Sequence, residues 1–256
     1  MNVQDIAQFH RRAGAPPVPA DSVVSLAAGV EHLVWRSTAP AQADSLTPCG
    51  RLWDVLLASG WPSASARPQD DGVVGTYMVP VQEDTVFLRG IEMTLRERMT
   101  SVGFTPTTAK ALTGALTEII TNVWLHAQTT APALIAYQLE KERVYLSVAD
   151  LGIGVLKSLQ SNPEHLALTT SMAALKKAML VGVSRFPEQG RGYGFDTVLR
   201  AVADHGVVRL RAGEAVLEFH GTTDVRHSLG SYGTNLPGLQ VALSCGTQQS
   251  ASPISL

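Results

Sequence analysis

The pattern of apolar residues becomes regular after about Gly72. The segment VVGTYMVPV has the composition of a strand, rich in β-branched residues. The next segment, VFLRGIEMTLRERMTSVG, repeats apolar residues at helical spacing, at Phe87, Ile91, Leu95 and Met99. A strand followed by an amphipathic helix is therefore predicted.

A second helix is predicted from Pro106 to about His126. Thr105 suits the N-cap, and proline is accepted in the first turn because its missing N–H would be unpaired there anyway. Two strand-like runs, PALIAYQLE and RVYLSVAD, come next. Only Lys141 and Glu142 separate them, which indicates a hairpin with a polar two-residue turn.

The remaining pattern gives two further helices, LALTTSMAALKKAML and FDTVLRAVADH, and then the strands GVVRLRA, AVLEFH and LQVALS. This order of elements favours an α+β fold, a two-layer α/β sandwich with a mixed, mostly antiparallel sheet and helices on one face. We assign residues 73–245 to this domain and 246–256 to a polar tail. Residues 1–72, which hold seven of the chain's 14 prolines, form an N-terminal extension of unknown role that has room for short helices.

Composition excludes several classes of protein. The 256 residues are 45% hydrophobic with a formal net charge of −2, unlike a disordered chain. The 20 basic residues do not exceed the 22 acidic ones, which argues against nucleic acid as the main ligand. The two cysteines lack metal-site spacing, and the sequence has neither a secretion signal nor an apolar run that would span a membrane. A cytoplasmic protein is expected.

The predicted second helix carries Glu118, Asn122 and His126 at intervals of four residues. Each interval advances about 400° around an α-helix, so the three side chains drift by only about 40° per step and share one stripe. They could face a single ligand in a cleft. The same stripe also fits the solvent-facing edge of an ordinary amphipathic helix.

Two further sequence segments, VADLGIG and GRGYGFD, combine glycines with polar residues. Asp150 ends a strand and offers an acceptor to a base with an exocyclic amine, while Gly152 and Gly154 would let a flat ligand approach closely. In GRGYGFD, three glycines precede a predicted helix, whose free N–H groups could bind an anion, and an arginine lies between them. The residues concerned are Gly190, Arg191, Gly192, Tyr193 and Gly194. Taken alone, either segment also fits an ordinary turn.

In this order, the three motifs resemble the nucleotide-binding set of the GHKL superfamily, which has the Bergerat ATP-binding fold of gyrase, Hsp90, MutL and histidine kinases. Glu118, Asn122 and His126 match its N box, E-x-x-x-N-x-x-x-H. The motifs that begin at Asp150 and Gly190 match its G1 and G2 boxes. The resemblance covers about residues 73–245.

The resemblance implies a role for each matched position. Glu118 would be the catalytic base, and Asn122 would hold Mg²⁺ between the phosphates of ATP. Asp150 would bind the adenine amine. His126, the G1 and G2 glycines, Arg191 and Tyr193 would surround the triphosphate. Residues 155–189 would form a lid.

One position departs from the family pattern. Where a Gly-Thr pair commonly opens the last part of the sheet, this chain has Gly238 followed by Leu239. Gly233 and Thr234 are a nearby but displaced substitute. The contact that the family threonine makes to the base side of the site is therefore in doubt here.

The resemblance points to a bacterial regulator, similar to anti-sigma-factor serine kinases that work beside a STAS-type partner. Neither His10 nor His32 lies in the long heptad helix that carries the phosphoacceptor of sensor kinases. The expected function is ATP-dependent binding or phosphorylation of a protein partner, as an ATPase or a serine/threonine-type protein kinase. A nucleotide-occupied switch with little or no turnover, a domain that has lost its nucleotide, and a homodimer all stay open.

Overall fold

The computed structural model describes residues 30, 31, 34, 55, 58–63, 65–180, 194–202, 206–220, 224–226 and 235–247. Its elements follow one another along the chain as β1 Gln69–Asp70, β2 Val74–Val79, α1 Thr85–Ser101, α2 Pro106–Asn122, a π-helical turn Val123–Ala127, β3 Ala133–Glu140, β4 Arg143–Ala149, α3 Gly154–Gln160, a 3₁₀ turn Pro163–His165, α4 Ser171–Ala178, α5 Gly194–Val202, β5 Gly206–Gly213, β6 Ala215–His220, β7 Asp224–Arg226 and β8 Leu236–Gly246.

The eight strands form one sheet in the order β1-β2-β3-β4-β8-β5-β6-β7, and every pairing among them is antiparallel. The α+β class is confirmed, whereas the sheet, predicted to be mixed and mostly antiparallel, has no parallel pairing among the described strands. Strand β1 lies within residues 1–72 and pairs with β2, so the sheet begins before the boundary that the sequence suggests. Among the described residues, no helix is long and apolar enough to cross a bilayer.

The helices α1, α2 and α5 pack against one face of the sheet. Ile91, Leu95 and Met99 of α1 are buried there, as the spacing predicts. Thr105 caps α2 by accepting a hydrogen bond from the backbone N–H of Thr108 at 3.1 Å. Because side chains alternate across a strand, Ile135 and every second residue of β3 contribute to the same core.

The predicted hairpin is confirmed. Glu140 of β3 pairs with Arg143 of β4, which leaves a two-residue turn in which Glu142 has a φ of 61°. The backbone N–H of Glu142 donates to the carbonyl of Val102, and its carbonyl accepts from Thr247 at 2.8 Å. The turn is thus fixed between the end of α1 and the end of β8.

The carboxylate of Asp70 connects the first edge strand of the sheet to α1. It accepts hydrogen bonds from the hydroxyls of Tyr77 and Tyr137, and it forms an ion pair with Arg98. The ring of Tyr137 lies across β2 at Gly75, where a Cβ would come within 2.4 Å of it. A side chain at Gly75 would therefore displace the ring.

The second face of the sheet is covered in part by the N-terminal extension. Val30, Val34 and Trp61 pack on Leu134 and Ala136, the residues of β3 that alternate with those of the main core. The indole N–H of Trp61 also donates to the carbonyl of Pro132 at 2.7 Å. These residues of the extension therefore belong to the folded body of the protein.

Two buried arginines on this second face are neutralised by the extension. Glu31 accepts from Arg209 at 3.2 Å and from Arg211 at 2.7 Å, and all three side chains are at most 7% exposed. Glu218 of β6 gives Arg209 a second carboxylate at 3.4 Å. A buried ion pair adds little net stability, but removing one member leaves a charge that neither water nor protein neutralises.

We therefore expect Glu31→Gln to lower the free energy of unfolding, by up to about 3 to 5 kcal/mol, because both buried arginines lose this carboxylate while Arg209 keeps Glu218. Urea denaturation followed by circular dichroism measures it. The matched control is Glu164→Gln, because Glu164 is exposed and makes no ion pair within the described residues. Equal stabilities for the two variants would contradict the burial of this cluster.

Candidate functional site

Three segments meet at the end of β4: the loop after β4, the π-helical turn that ends α2, and the beginning of β8. The backbone N–H of Ile153 donates to the carbonyl of Ala127 at 2.8 Å, which joins the loop to the π turn. The N–H of Asp150 donates to the carbonyl of Leu239 at 3.1 Å, which joins it to β8. We refer to this junction as the β4-end site.

The Asp150 carboxylate lies at the centre of the β4-end site and is only 5% exposed. Its Oδ1 accepts from the N–H of Gly152 at 2.7 Å, and its Oδ2 accepts from the N–H of Leu239 at 3.2 Å. Burial raises the pKa of Asp150 to about 6, and the two amide hydrogen bonds limit the rise. The group is therefore mostly ionised at neutral pH, without a cation beside it in the described residues.

Two amide donors leave acceptor capacity on this carboxylate. An ionised carboxylate has about four lone-pair sites, and the backbone fills one on each oxygen. A ligand that donates an N–H would complete the set, while a ligand that presents an oxygen acceptor would be repelled. The site is chemically suited to an amine or amide donor of low bulk.

Glycines make the close packing around Asp150 feasible. A Cβ on Gly152 would lie 2.1 Å from the carbonyl oxygen of Ala127. Gly238 has a φ of +71°, and its Cβ would lie 2.0 Å from the backbone oxygen of Asp150 and 2.5 Å from Oδ1. Gly154, with a φ of +75°, begins α3 beside Gly238. Glycines of the predicted G1 box thus contact the π turn and β8.

Gly238 and Leu239 were not predicted as site residues. The sequence signal for Gly238 is a Pro-Gly pair inside an otherwise strand-like run, which marks a bulge or a close approach of backbones. Leu239 stands where the family pattern expects threonine, and it reaches Asp150 through its backbone N–H. Gly233 and Thr234 lie outside the described residues.

The polar stripe on α2 is only partly α-helical. Glu118 and Asn122 lie within α2, one turn apart, and both are half-buried. The α-helix ends at Asn122 and continues as the π turn that contains His126. A π turn rotates less per residue than an α-helix, so the four residues from Asn122 to His126 fall slightly short of a full turn instead of slightly exceeding it, and the spacing still keeps His126 near the stripe.

The side chains of Glu118 and Asn122 make no hydrogen bond or ion pair within the described part of the chain. Their neighbours do: Thr117 donates to Glu92 at 2.7 Å, and the Trp124 indole donates to the Pro80 carbonyl at 2.7 Å. Half-buried polar groups without a protein partner keep hydrogen-bonding capacity that water or a ligand can fill.

The predicted G2 residues Gly190, Arg191, Gly192 and Tyr193 lie outside the described residues. The last of that box, Gly194, begins α5, and α5 packs against α2. Among the described residues, no group of three or more His, Cys, Asp or Glu side chains could hold a metal ion by itself.

No protein-family model matches the chain, and no curated protein matches it.

Asp150 should produce a pH dependence of stability. Its pKa is about 6 in the folded protein and 3.8 when unperturbed, so the folded state binds the proton more tightly. The free energy of unfolding then falls as the pH rises from about 4 to about 6, by up to about 3 kcal/mol from this group. Asp150→Asn cannot titrate, so its curve should lack that fall. Parallel curves for the two proteins in chemical denaturation would contradict the assignment.

Gly238→Ala should lower the free energy of unfolding by more than about 2 kcal/mol, because a Cβ at positive φ is strained and also collides with Asp150. The control is Gly114→Ala in α2, where a Cβ meets no atom within 4 Å. That substitution should stabilise the protein by up to about 1 kcal/mol, the helix propensity difference. Thermal denaturation compares the two, and equal effects would show that the approach at Gly238 is not tight.

Proposed function

We propose that this chain is a GHKL-type regulatory protein with a Bergerat fold that binds ATP and Mg²⁺ and acts on a protein partner. The observation that carries the proposal is the Asp150 carboxylate, which is buried at the end of β4, held by two backbone amides and surrounded by close-packed glycines. Such an acceptor, next to the helix on which Glu118 and Asn122 have no partner among the described residues, supports a nucleotide site.

Asp150 would select adenine. The exocyclic amine of adenine donates N–H, whereas guanine presents a carbonyl oxygen at the same ring position. An ionised carboxylate accepts from the former and repels the latter. The backbone N–H of Leu239, which already binds Oδ2, would hold the carboxylate in place without the threonine of the family pattern.

Asn122 and Glu118 would serve the phosphate end of the nucleotide. Mg²⁺ binds oxygen ligands and usually keeps several waters, with one or two protein ligands and substrate phosphates completing its shell. The amide oxygen of Asn122 suits that role, and the ion would neutralise phosphate charge. Glu118, one helical turn earlier, would orient or deprotonate the nucleophile.

The remaining predicted contacts concern the phosphates. His126 at the π turn, Arg191 and Tyr193, and the glycines of the G2 box up to Gly194 would surround the triphosphate. Lys157 on α3 and Lys176 on α4 are exposed in the predicted lid region, where they would add positive charge.

The protein partner would be phosphorylated on serine or threonine, or would be bound in an ATP-dependent complex. A STAS-like or sigma-regulatory protein is the partner that the family resemblance suggests. The alternative is a nucleotide-occupied switch with little or no turnover. Both require ATP binding, and Glu118 distinguishes them.

Isothermal titration calorimetry with Mg²⁺ should detect ATP binding to the full chain, with GTP at least about tenfold weaker because of Asp150. Glu118→Gln should leave the ATP dissociation constant within a few-fold and lower phosphate release by about 10²-fold or more, the usual contribution of a general base. The matched control is Glu83→Gln, because Glu83 is exposed in the loop before α1.

Absence of ATP binding by the wild-type chain would overturn the proposal. Binding with phosphate release that is equally slow in wild type and Glu118→Gln would reject the catalytic role and leave the switch. Equal affinity for ATP and GTP would reject Asp150 as the base-reading group.

A further inference from the structure

The outer face of α1 carries apolar side chains that the domain does not cover. Val86 is 80% exposed and Met93 is 62% exposed. Together with Gly90 and Glu97 they follow an alternating spacing of four and three residues, on the side of the helix opposite to the buried Ile91, Leu95 and Met99. This is the spacing of a helix-pairing seam.

The seam has a knob and a hole. A Cβ placed at Gly90 would meet no atom within 4 Å, so the helix surface is open there. Met93 lies less than one turn further along the same face and projects a long, flexible side chain. A second helix with the same sequence could place its methionine over this glycine.

Two exposed charges lie on either side of the Gly90–Met93 pair along the helix. Arg89 and Glu97 make no ion pair with any described residue. They lie eight residues apart, about 12 Å along the helix axis, so they are too far apart to pair with each other. Their signs are opposite, and they lie on either side of the Gly90–Met93 pair.

We propose that α1 pairs antiparallel with α1 of a second copy of this chain, across a two-fold axis between Gly90 and Met93. Each Met93 then packs on the Gly90 of the other copy, in both directions at once. The same axis brings Arg89 to within about 4.5 Å, measured along the helix axis, of the Glu97 position of the other copy. Two symmetric ion pairs flank the apolar contact.

The charge pattern selects a second copy over an unrelated partner. A self-complementary surface needs opposite charges on both sides of its own two-fold axis, and Arg89 and Glu97 provide them. One helix face of this length buries less area than a standard stable interface of about 1,600 Å² in total. The dimer is therefore weak and depends on protein concentration. The proposal does not depend on nucleotide binding.

Sedimentation velocity on the full chain over a range of concentrations tests the pairing. Wild type should shift from monomer to dimer as concentration rises. Arg89→Glu and Glu97→Arg should each raise the dissociation constant at least about tenfold, because like charges then face each other. The double variant Arg89→Glu/Glu97→Arg should restore dimerisation, since the exchanged charges again complement one another.

Gly90→Leu gives an independent test. A Cβ at this position meets no atom within 4 Å and leucine favours the helix, so thermal stability should not fall, while the hole for Met93 is filled and the dimer weakens at least about tenfold. Lys176→Glu, a charge reversal at an exposed position of α4, should leave the dissociation constant unchanged.

A wild-type protein that stays monomeric at every concentration would overturn the proposal. So would a dimer that tolerates Arg89→Glu, or a double variant that fails to restore the association that the single variants lose.

Discussion

The buried carboxylate of Asp150 is the constraint around which this end of the protein is built. An ionised group with so little water needs hydrogen bonds to compensate, and the backbone supplies them from two directions, through Gly152 and Leu239. To bring Leu239 close enough, β8 must pass Asp150 at a distance that only glycine permits at position 238. The loop after β4 must likewise lie against Ala127, which requires Gly152. One charge therefore fixes three segments of chain.

This constraint connects the site to the main core. The π turn that meets the loop is continuous with α2, and α2 packs against the sheet and against both neighbouring helices, α1 and α5. The β4-end site is therefore joined directly to this helix, because Ile153 and Gly152 both contact Ala127 at its end. Glu118 and Asn122, whose side chains have no partner among the described residues, lie on this same helix.

Local sequence patterns predicted most of the elements. The spacing of Ile91, Leu95 and Met99 identified α1, and the two-residue gap at Lys141 and Glu142 identified the hairpin, because both depend on neighbouring residues. The contact of Glu31 with Arg209 and Arg211 joins residues almost 180 positions apart, and no local pattern encodes it. The π turn was not predicted from the sequence, because a spacing of four residues fits both an α-helix and a π turn. The roles of all the predicted site residues stay predictions, and Gly190 to Tyr193 also lie outside the described residues.

The two edge strands of the sheet are short, which affects how the sheet can pair with other chains. Its first strand, Gln69–Asp70, has 2 residues, and its last, Asp224–Arg226, has 3. A strand this short offers too few free N–H and C=O groups to template a neighbour, and such edges are one way in which β proteins resist edge-to-edge aggregation. Asp70 is also engaged by Arg98 and Tyr137, which anchors its edge. Pairing of a foreign strand with these two short edge strands is therefore disfavoured.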